Sequence, residues 1–534
     1  AMTTYTPPSY GNFTVSHKHT FAAGTASSPM ERAQLAVKAR NHAEAVQWFE
    51  RILQETPENP HAMIGFGQSL CNLGRRLEGA AYLRKGGQHF LEQARQSGDI
   101  SQLLEIISAL QHWSDYEGAL EIGKQATEIN NADFRGYRLL AVTYSQLNRT
   151  ADALLAGQRA LELDPENSMM HILQASLEAD AGQNTAAKLR LEDVLSYELN
   201  PREEFRAHKE LARVFDKLGD YAQVFPHLRA AAEFSSQLPE IISQDKSLIP
   251  NMIKANMAGF DRELMSRWAG TEFPRHQPPP TFVLGFMRSG TTLTQEVLDA
   301  HPGVLVADEA DFIWAMQREL HIMDKSSDDT AAKLKRLDFA GVLHLRDIYW
   351  KQVHQRFGDT IGKRLLVDKF TMNTIDLGLI NFVFPDAKVI FVMRDPRDIC
   401  VSCFMQLMVP TPTTVHLLTW QGTAEFYAIV MDWWLYIKQQ MTLDFIEFRY
   451  EDAVTQFEPT FRRIFDFLEL PWDASVSDFH KRAARKYIAT PSRTQVAQPL
   501  YSSSVKRWRY FESEFASVSK LLEPFIGAFD YEPF

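Results

Sequence analysis

A glycine-bounded loop at residues 285–292 has the residue types and spacing of a phosphate-binding site. It has the sequence Gly-Phe-Met-Arg-Ser-Gly-Thr-Thr, follows a β-type run at residues 281–284 and precedes a helical pattern. A strand, a glycine loop and a helix in this order direct backbone N–H groups and a helix N-terminus at a phosphate. Thr291 stands where nucleoside triphosphatases carry lysine, so we expect Arg288 to supply the positive charge that a bound anion requires.

A second anion site is predicted further along the chain. Residues 389–393 are all apolar, which indicates a buried strand, and they lead into Arg394 and a helix that contains Ser402. An arginine at a strand's end and a serine in the next helix both suit a bound anion. Because doubly wound sheets bind ligands at the carboxyl ends of neighbouring parallel strands, we expect Arg394 and Ser402 to lie near the loop.

Residues 479–511 form a basic segment in an acidic chain. The whole protein carries 56 Lys and Arg against 67 Asp and Glu, a net charge of −11, yet this segment contains no acidic residue. Its eight basic residues favour a further contribution to anion binding. The alternative interpretation is a solvated basic face without a ligand.

These residues resemble the donor site of sulfotransferases. Residues 288–292 are similar to the loop that binds the 5′-phosphosulfate, and Arg394 with Ser402 is similar to the pair that holds the 3′-phosphate of 3′-phosphoadenosine 5′-phosphosulfate (PAPS). The tyrosylprotein branch is the most similar, from about residue 282 to residue 508. The resemblance implies PAPS as co-substrate, 3′-phosphoadenosine 5′-phosphate as product and no metal. The donor-binding residues that it implies are Arg288, Ser289, Gly290, Thr291, Thr292, Arg394, Ser402, Tyr450, Ser492, Gln495, Val496, Pro499 and Arg507.

The same resemblance implies the catalytic residues. Glu309 matches the glutamate that acts as general base, and Lys369 matches the lysine that stabilises the transition state. Small-molecule cytosolic sulfotransferases instead end this strand with a histidine. Sulfuryl transfer builds negative charge on the leaving and equatorial oxygens, which positioned cations and N–H groups stabilise. Arg288 and Ser492 are the further groups that we expect to act in this way.

The N-terminal half is predicted to be an array of helical repeats. Ala119, Ala153 and Ala187 recur at a spacing of 34 residues, and small or apolar residues recur seven positions after each. This period resembles that of tetratricopeptide repeats and covers about residues 28–235. The alternative is a helical bundle without repeats. Such arrays bind peptides or mediate self-association, so we expect either peptide binding or homodimerisation through the repeats.

The predicted fold class combines an α-solenoid of tetratricopeptide repeats with a parallel-sheet α/β domain of the phosphate-loop type. The predicted division is an N-terminal extension at residues 1–27, the repeat array at 28–235, a helical linker at 236–280 and a sulfotransferase domain at 281–534. The Pro-rich residues 275–280 mark the last boundary. A length of 534 residues is sufficient for several domains.

Composition favours a cytoplasmic protein. The chain has three cysteines, Cys71, Cys400 and Cys403, which is too few for a disulfide framework and is typical of a reducing compartment. The Cys-x-x-Cys spacing of the last two lacks a second pair, so we interpret them as buried thiols rather than metal ligands. No secretory signal and no membrane span is visible, and the acidic charge does not favour nucleic-acid binding.

The sequence therefore favours a PAPS-dependent sulfotransferase whose acceptor is a tyrosine of a peptide or protein. Gln406 and Gln498 stand where the tyrosylprotein branch carries an arginine and a lysine. A small-molecule, lipid or glycan hydroxyl is therefore the alternative acceptor. Two other functions are alternatives. One is a kinase with a phosphate loop, which would require magnesium and ATP, and the other is a repeat scaffold without catalytic activity.

Overall fold

The computed structural model describes residues 28–483 and 503–534, which form two compact units at residues 28–199 and 200–534. The first unit consists of helices. Their bounds are α1 Pro29–Lys38, α2 His42–Glu55, α3 Pro60–Asn72, α4 Arg76–Ser97, α5 Ser101–His112, α6 Tyr116–Ile129, α7 Phe134–Gln146, α8 Thr150–Leu163, α9 Ser168–Asp180 and α10 Asn184–Val194.

The helices of the first unit pair in the way that the 34-residue period predicts. Ala119, Ala153 and Ala187 are fully buried, because a small side chain at this position lets two helices approach closely. The turn within successive pairs contains a residue in the left-handed region, at Ser114 (φ 63°), Asn148 (φ 59°) and Gly182 (φ 78°). Asp115, Asn59 and Asn167 begin helices by accepting a hydrogen bond from a first-turn N–H. The predicted helical-repeat fold is confirmed.

The second unit begins with helices that the sequence assigns to the repeat array and linker. Their bounds are α11 Pro201–Leu218, α12 Val224–Ser235, α13 Pro239–Ile242, α14 Leu248–Gly259 and α15 Arg262–Ser266. The predicted array extends to residue 235 and therefore includes α11 and α12. In the structure, these two helices belong to the same compact unit as the sheet. The three predicted domain boundaries, after residues 27, 235 and 280, stay predictions.

A parallel sheet forms the core of the second unit. The bounds of its strands are β1 Thr281–Gly285, β2 Val304–Asp308, β3 Leu365–Lys369, β4 Lys388–Met393 and β5 Asp444–Arg449. The strand order is β2-β3-β1-β4-β5, and all four pairings are parallel. The chain therefore leaves β1 towards β2 on one side and reaches β4 on the other, which is the switch point where open α/β sheets bind ligands.

Helices cover the sheet, as the apolar strands require. Their bounds are α16 Thr291–Asp299, α17 Phe312–Met323, α18 Thr330–Lys335, α19 Phe339–Phe357, α20 Leu377–Val383, α21 Pro396–Met405, α22 Trp420–Gln440, α23 Tyr450–Thr455, α24 Phe457–Phe467, α25 Phe479–Ala483 and α26 Ser519–Ala528. Val389, Ile390, Phe391 and Val392 are buried, as expected for a strand covered on both faces. Phe391 stacks on Trp434 of α22 with ring centroids 3.7 Å apart.

The three cysteines are buried free thiols. Burial raises the pKa of Cys403 to about 12, so this thiol stays protonated at neutral pH. Within residues 28–483 and 503–534, no group of three His, Cys, Asp or Glu side chains is arranged to hold a metal ion. None of the helices in those ranges has the length and apolar character of a membrane span.

We predict that Ala153→Leu destabilises the repeat unit by about 1–3 kcal/mol, because the added methylenes must enter a packed helix interface. Leu155→Ala is the matched control, since Leu155 lies on the same helix, α8, with 66% of its surface exposed. Its effect should stay within about 0.5 kcal/mol. Urea denaturation followed by circular dichroism measures both variants, and equal losses of stability would contradict the predicted packing.

Candidate functional site

The predicted functional residues converge at the carboxyl edge of the sheet. The phosphate loop follows β1, Glu309 follows β2, Lys369 ends β3 and Arg394 follows β4. In the parallel register, Asp308 lies opposite Lys369, and Gly285 lies opposite Val392. Four neighbouring strands therefore end at the same level, and residues from separate parts of the sequence meet there.

The phosphate loop has a backbone that depends on glycine at one position. Gly290 has φ 104°, and a Cβ there would lie 2.5 Å from Cδ2 of Tyr450. Arg288 also lies in the left-handed region, at φ 65°. A non-glycine residue in this region is strained by about 1–3 kcal/mol and is typical of functional sites. Gly290 precedes Thr291 and Thr292, the first residues of α16, so both predicted anion ligands lie at a helix N-terminus.

Two threonines after β3 hold the loop in place. Thr374 Oγ1 accepts a hydrogen bond from the Gly285 N–H at 3.1 Å and lies 2.8 Å from the Gly285 carbonyl oxygen. Thr371 Oγ1 lies 2.9 Å from Oγ1 of Thr291. Both threonines are buried. No local sequence pattern identifies these two threonines, because their partners lie 80 to 89 residues away in the sequence.

Arg288, Ser402, Arg394 and Tyr450 form a cationic cluster beside the loop. Arg288 Nε donates to Oγ of Ser402 at 3.0 Å. Arg394 Nη1 donates to the backbone carbonyl of Arg288 at 2.8 Å, and its guanidinium lies 4.9 Å from the centre of the Tyr450 ring. Four of the predicted donor-binding residues therefore contact one another directly.

Two buried polar atoms in this region fit an anion. Ser289 Oγ and Arg394 Nε lack a hydrogen-bond partner among the described residues. Ser289 is fully buried and Arg394 is 8% exposed. Buried donors are normally paired, so an orphaned guanidinium nitrogen beside a phosphate loop indicates a site that a bound anion would complete.

Glu309 and Lys369 form an ion pair at the ends of β2 and β3. Lys369 Nζ lies 2.8 Å from Oε1 of Glu309 and 3.4 Å from Oδ1 of Asp308. Burial is the largest single effect on the pKa of Lys369 and lowers it. The charge attraction and hydrogen bonds of Glu309 and Asp308 together outweigh this effect, so the pKa is raised. Lys369 therefore stays protonated and positively charged although it is completely buried.

The backbone at Glu309 is strained and held by the same neighbour. Glu309 has φ 53°, and its N–H donates to the carbonyl of Lys369 at 2.8 Å. Lys369 thus contacts Glu309 through both its backbone and its side chain. Because a backbone hydrogen bond accompanies the ion pair, the Glu309 carboxylate is held in one direction more strictly than in a surface ion pair.

A buried carboxyl group lies next to Lys369 on β3. The Tyr349 hydroxyl donates to Oδ2 of Asp368 at 2.8 Å, whereas Oδ1 of Asp368 has no hydrogen-bond partner among the residues the structure describes. Burial raises the pKa of Asp368 to about 7, and the Tyr349 hydrogen bond opposes that rise. Asp368 is therefore partly protonated at neutral pH.

Some predicted site residues are placed elsewhere or fall outside the described ranges. Arg507 is described, and it forms an ion pair with Asp216 of α11. Ser504 lies in the same basic segment, residues 479–511, and is not among the predicted site residues. Its backbone carbonyl accepts a hydrogen bond from Arg394. The predicted site residues outside the described ranges are Ser492, Gln495, Val496 and Pro499, and Gln498 also lies outside those ranges.

Two protein-family models match parts of this chain. Residues 279–474 match the model of the sulfotransferase family, and residues 24–85 match a model of the tetratricopeptide repeat. The chain therefore joins a tetratricopeptide-repeat region to a sulfotransferase domain, and both parts of the predicted resemblance are confirmed.

Similar proteins include two curated relatives and one solved domain. An uncharacterized protein of Aquifex aeolicus is 30% identical over 59% of this chain and 40% of its own length. Protein-tyrosine sulfotransferase A of Caenorhabditis elegans is 26% identical over 43% of this chain and 61% of its own length. The sulfotransferase domain of the Synechococcus olefin synthase has 19% identity and a TM-score of 0.35, covering 49% of this chain and 98% of that domain. The chain thus spans less than two thirds of the two curated relatives.

We predict that Asp368→Asn gains stability relative to the wild type as the pH rises from 5 to 8. The folded-state pKa of Asp368 is raised to about 7. The stabilising contribution of its proton is therefore complete below the unfolded-state pKa and is lost as the pH rises through the folded-state value. Asparagine does not titrate and retains an acceptor for Tyr349.

Urea denaturation of both proteins at several pH values measures this difference. Asp347→Asn is the control, because Asp347 is exposed on α19, the helix that carries Tyr349. Its stability difference from the wild type should not change across the range. A pH-independent difference for Asp368→Asn would show that Asp368 is ionised throughout.

Proposed function

We propose that this protein transfers the sulfuryl group of PAPS to the hydroxyl group of a tyrosine in a peptide or protein. The observation that carries the proposal is the position of two groups at one sheet edge. The Arg288, Ser402 and Arg394 cluster lies beside the phosphate loop, and the Glu309–Lys369 pair follows the neighbouring strands. The anion site can bind the donor of an anionic group, and the neighbouring Glu309 and Lys369 supply a carboxylate and a cation for its transfer.

The proposed donor site uses both anion-binding features. Residues 288–292 would contact the 5′-phosphosulfate through backbone N–H groups, and Arg394 with Ser402 would bind the 3′-phosphate. Arg394 Nε, which has no hydrogen-bond partner among the described residues, supports this assignment because it supplies a buried donor for an additional anion. Tyr450 and Arg507 keep their proposed places near the donor, as do the four predicted residues outside the described ranges, Ser492, Gln495, Val496 and Pro499.

The cations of the chain would stabilise the charge that develops during transfer. PAPS supplies the sulfuryl group when bound, and its leaving phosphate oxygen and equatorial oxygens gain negative charge. Lys369 is completely buried and protonated, so its charge acts where water is largely excluded, and the half-buried Arg288 adds a second charge in the loop. Ser492 is proposed as an additional donor, and no metal takes part in this proposal.

Glu309 would remove the proton of the acceptor hydroxyl. Its carboxylate is 33% exposed, so an acceptor can reach it, while Lys369 holds one of its oxygens. As the acceptor oxygen forms its bond to sulfur, the proton passes to Glu309 and the bond from sulfur to the phosphate oxygen breaks. The products are the sulfated acceptor and 3′-phosphoadenosine 5′-phosphate.

The tyrosine acceptor rests on the relatives and on the repeats. One similar protein is named a protein-tyrosine sulfotransferase, and tetratricopeptide repeats are typical of protein interaction. We propose that the repeats bind the acceptor peptide or a second copy of the chain. A cytoplasmic location is proposed from the buried free thiols, which are typical of a reducing compartment.

We predict that the protein binds 3′-phosphoadenosine 5′-phosphate without magnesium and in preference to ATP. Arg394→Gln should weaken this binding about 10- to 100-fold, because it removes charged hydrogen bonds to the 3′-phosphate. Lys388→Gln is the matched control, since Lys388 begins β4 whereas Arg394 follows its end. Isothermal titration calorimetry measures all three proteins. Tight binding of ATP with none of the bisphosphate would overturn the donor assignment.

We predict that Glu309→Gln lowers kcat by about 10²- to 10⁴-fold, because the variant cannot accept the acceptor's proton. Donor affinity should change little, since the proposed donor contacts do not include Glu309. The assay follows labelled sulfate from PAPS to tyrosine-containing peptides. Glu319→Gln is the control, because Glu319 lies on the nearby helix α17 and pairs with His344 at the surface. A Glu309→Gln variant with the wild-type rate would remove Glu309 from this role.

The same assay tests the acceptor separately from the donor. Each peptide is compared with a version in which phenylalanine replaces tyrosine, and small phenols, lipids and glycans are assayed beside them. Label on tyrosine peptides alone supports the proposal. Label on a small hydroxyl compound with none on any tyrosine peptide would overturn the acceptor assignment and leave the proposed reaction intact.

A further inference from the structure

Residues 504–508 contact the cationic cluster although they lie far from it in the sequence. Arg394 Nη2 donates to the Ser504 carbonyl at 2.9 Å, and the Tyr450 hydroxyl lies 2.6 Å from Oγ of Ser504. Ser504 therefore contacts both side chains that flank the phosphate loop. The position of this segment influences where Arg394 and Tyr450 lie.

The segment has a strained backbone that a buried carboxylate stabilises. Lys506 has φ 57°, an unfavourable conformation for a residue with a side chain. Asp398 of α21 accepts from the N–H of Lys506 at 2.9 Å and from the N–H of Trp508 at 2.8 Å. These two bonds fix the backbone on either side of Arg507.

Arg507 extends from this strained turn to helix α11. Its guanidinium forms an ion pair with Asp216, whose side chain is 10% exposed. The Lys209 ammonium lies seven residues earlier on the same helix and donates to the carbonyl of Phe404 and, at 3.3 Å, to that of Gln406. A spacing of seven places Lys209 and Asp216 on one face of α11.

That face therefore contacts two parts of the donor site. Lys209 binds the carbonyls at the end of α21, the helix that carries Ser402, and Asp216 binds the segment that carries Ser504. Aromatic contacts add to the second connection: Tyr221 stacks on Tyr510 with centroids 4.0 Å apart, and Phe225 lies 5.3 Å from Phe511. The sequence assigns α11 and α12 to the repeats. In the structure, this hairpin packs directly on residues 504–508 and on the residues that follow them.

We propose that Asp216 is a positioning residue for donor binding: by pairing with Arg507 it holds residues 504–508 so that Ser504 orients Arg394 and Tyr450. The role rests on the proposed donor site. In this role Arg507 stays paired with Asp216, whereas the alternative is that Arg507 contacts the donor directly. If Arg507 must leave Asp216 to bind the donor, then loss of Asp216 would leave affinity unchanged or increase it. If the pair holds the segment, loss of Asp216 weakens affinity.

Calorimetry of the full chain with 3′-phosphoadenosine 5′-phosphate tests this role. We predict that Asp216→Asn raises Kd about three- to tenfold with an unchanged number of sites, because the guanidinium loses its charged partner. Asp216→Glu keeps the charge and should restore most of the affinity. Glu514→Gln is the matched control, since Glu514 lies ten residues after Ser504 in the sequence and pairs with Arg229 of α12, the other helix of the same hairpin.

The outcomes separate this role from structural damage and from the donor assignment. A variant with fewer sites and an unchanged Kd has merely lost folded protein, which would overturn the positioning role. Equal or tighter binding by Asp216→Asn, beside a wild type that binds, would overturn it as well. Equal losses in Asp216→Asn and Glu514→Gln would attribute the effect to the whole hairpin rather than to Asp216. A wild type that does not bind the bisphosphate would overturn the donor site and this proposal together.

Discussion

The parallel pairing of β2, β3, β1 and β4 is the constraint on which the site depends. These strands end at one level, so the residues that follow them meet, although Gly285 and Arg394 are far apart in the sequence. The pairing places Lys369 opposite Asp308 and next to Glu309. Without this register, the lysine would be an unpaired buried charge, which costs several kcal/mol. The sheet therefore positions the ion pair and also makes its burial possible.

Charge burial explains much of the surrounding structure. Lys369 is compensated by two carboxylates, and Arg394 by the carbonyls of Arg288 and Ser504. Asp368 has the Tyr349 hydroxyl but no cation in hydrogen-bond contact among the described residues, so burial raises its pKa to about 7 and it is partly protonated at neutral pH. Ser289 Oγ and Arg394 Nε are the exception, because they lie beside the loop and have no hydrogen-bond partner in the part of the chain that the structure describes. They lie where strained residues at positive φ also occur, which is typical of a site arranged for a ligand rather than for stability.

The sequence predicts the features that are local in the chain. The apolar run of β4, the glycine loop and the 34-residue spacing of buried alanines each follow from short patterns, and each is confirmed. The supporting contacts could not be predicted, because they join distant residues. Thr374 bonds Gly285 across 89 positions, Asp398 bonds Trp508 across 110, and Asp216 pairs with Arg507 across 291. No spacing rule identifies such partners, since only the tertiary fold brings them together. The same reason explains why the sequence assigns α11 and α12 to the repeats alone.

A crystal structure with bound 3′-phosphoadenosine 5′-phosphate would decide whether the sheet edge forms one donor site with the Glu309–Lys369 pair beside it. We expect one phosphate on the backbone of residues 288–292 and the other within hydrogen-bond distance of Arg394 Nε and Ser402. We also expect Lys369 and Glu309 to face the 5′-phosphate. A bisphosphate bound away from the phosphate loop, or bound there with Lys369 and Glu309 remote from its 5′ end, would contradict this arrangement.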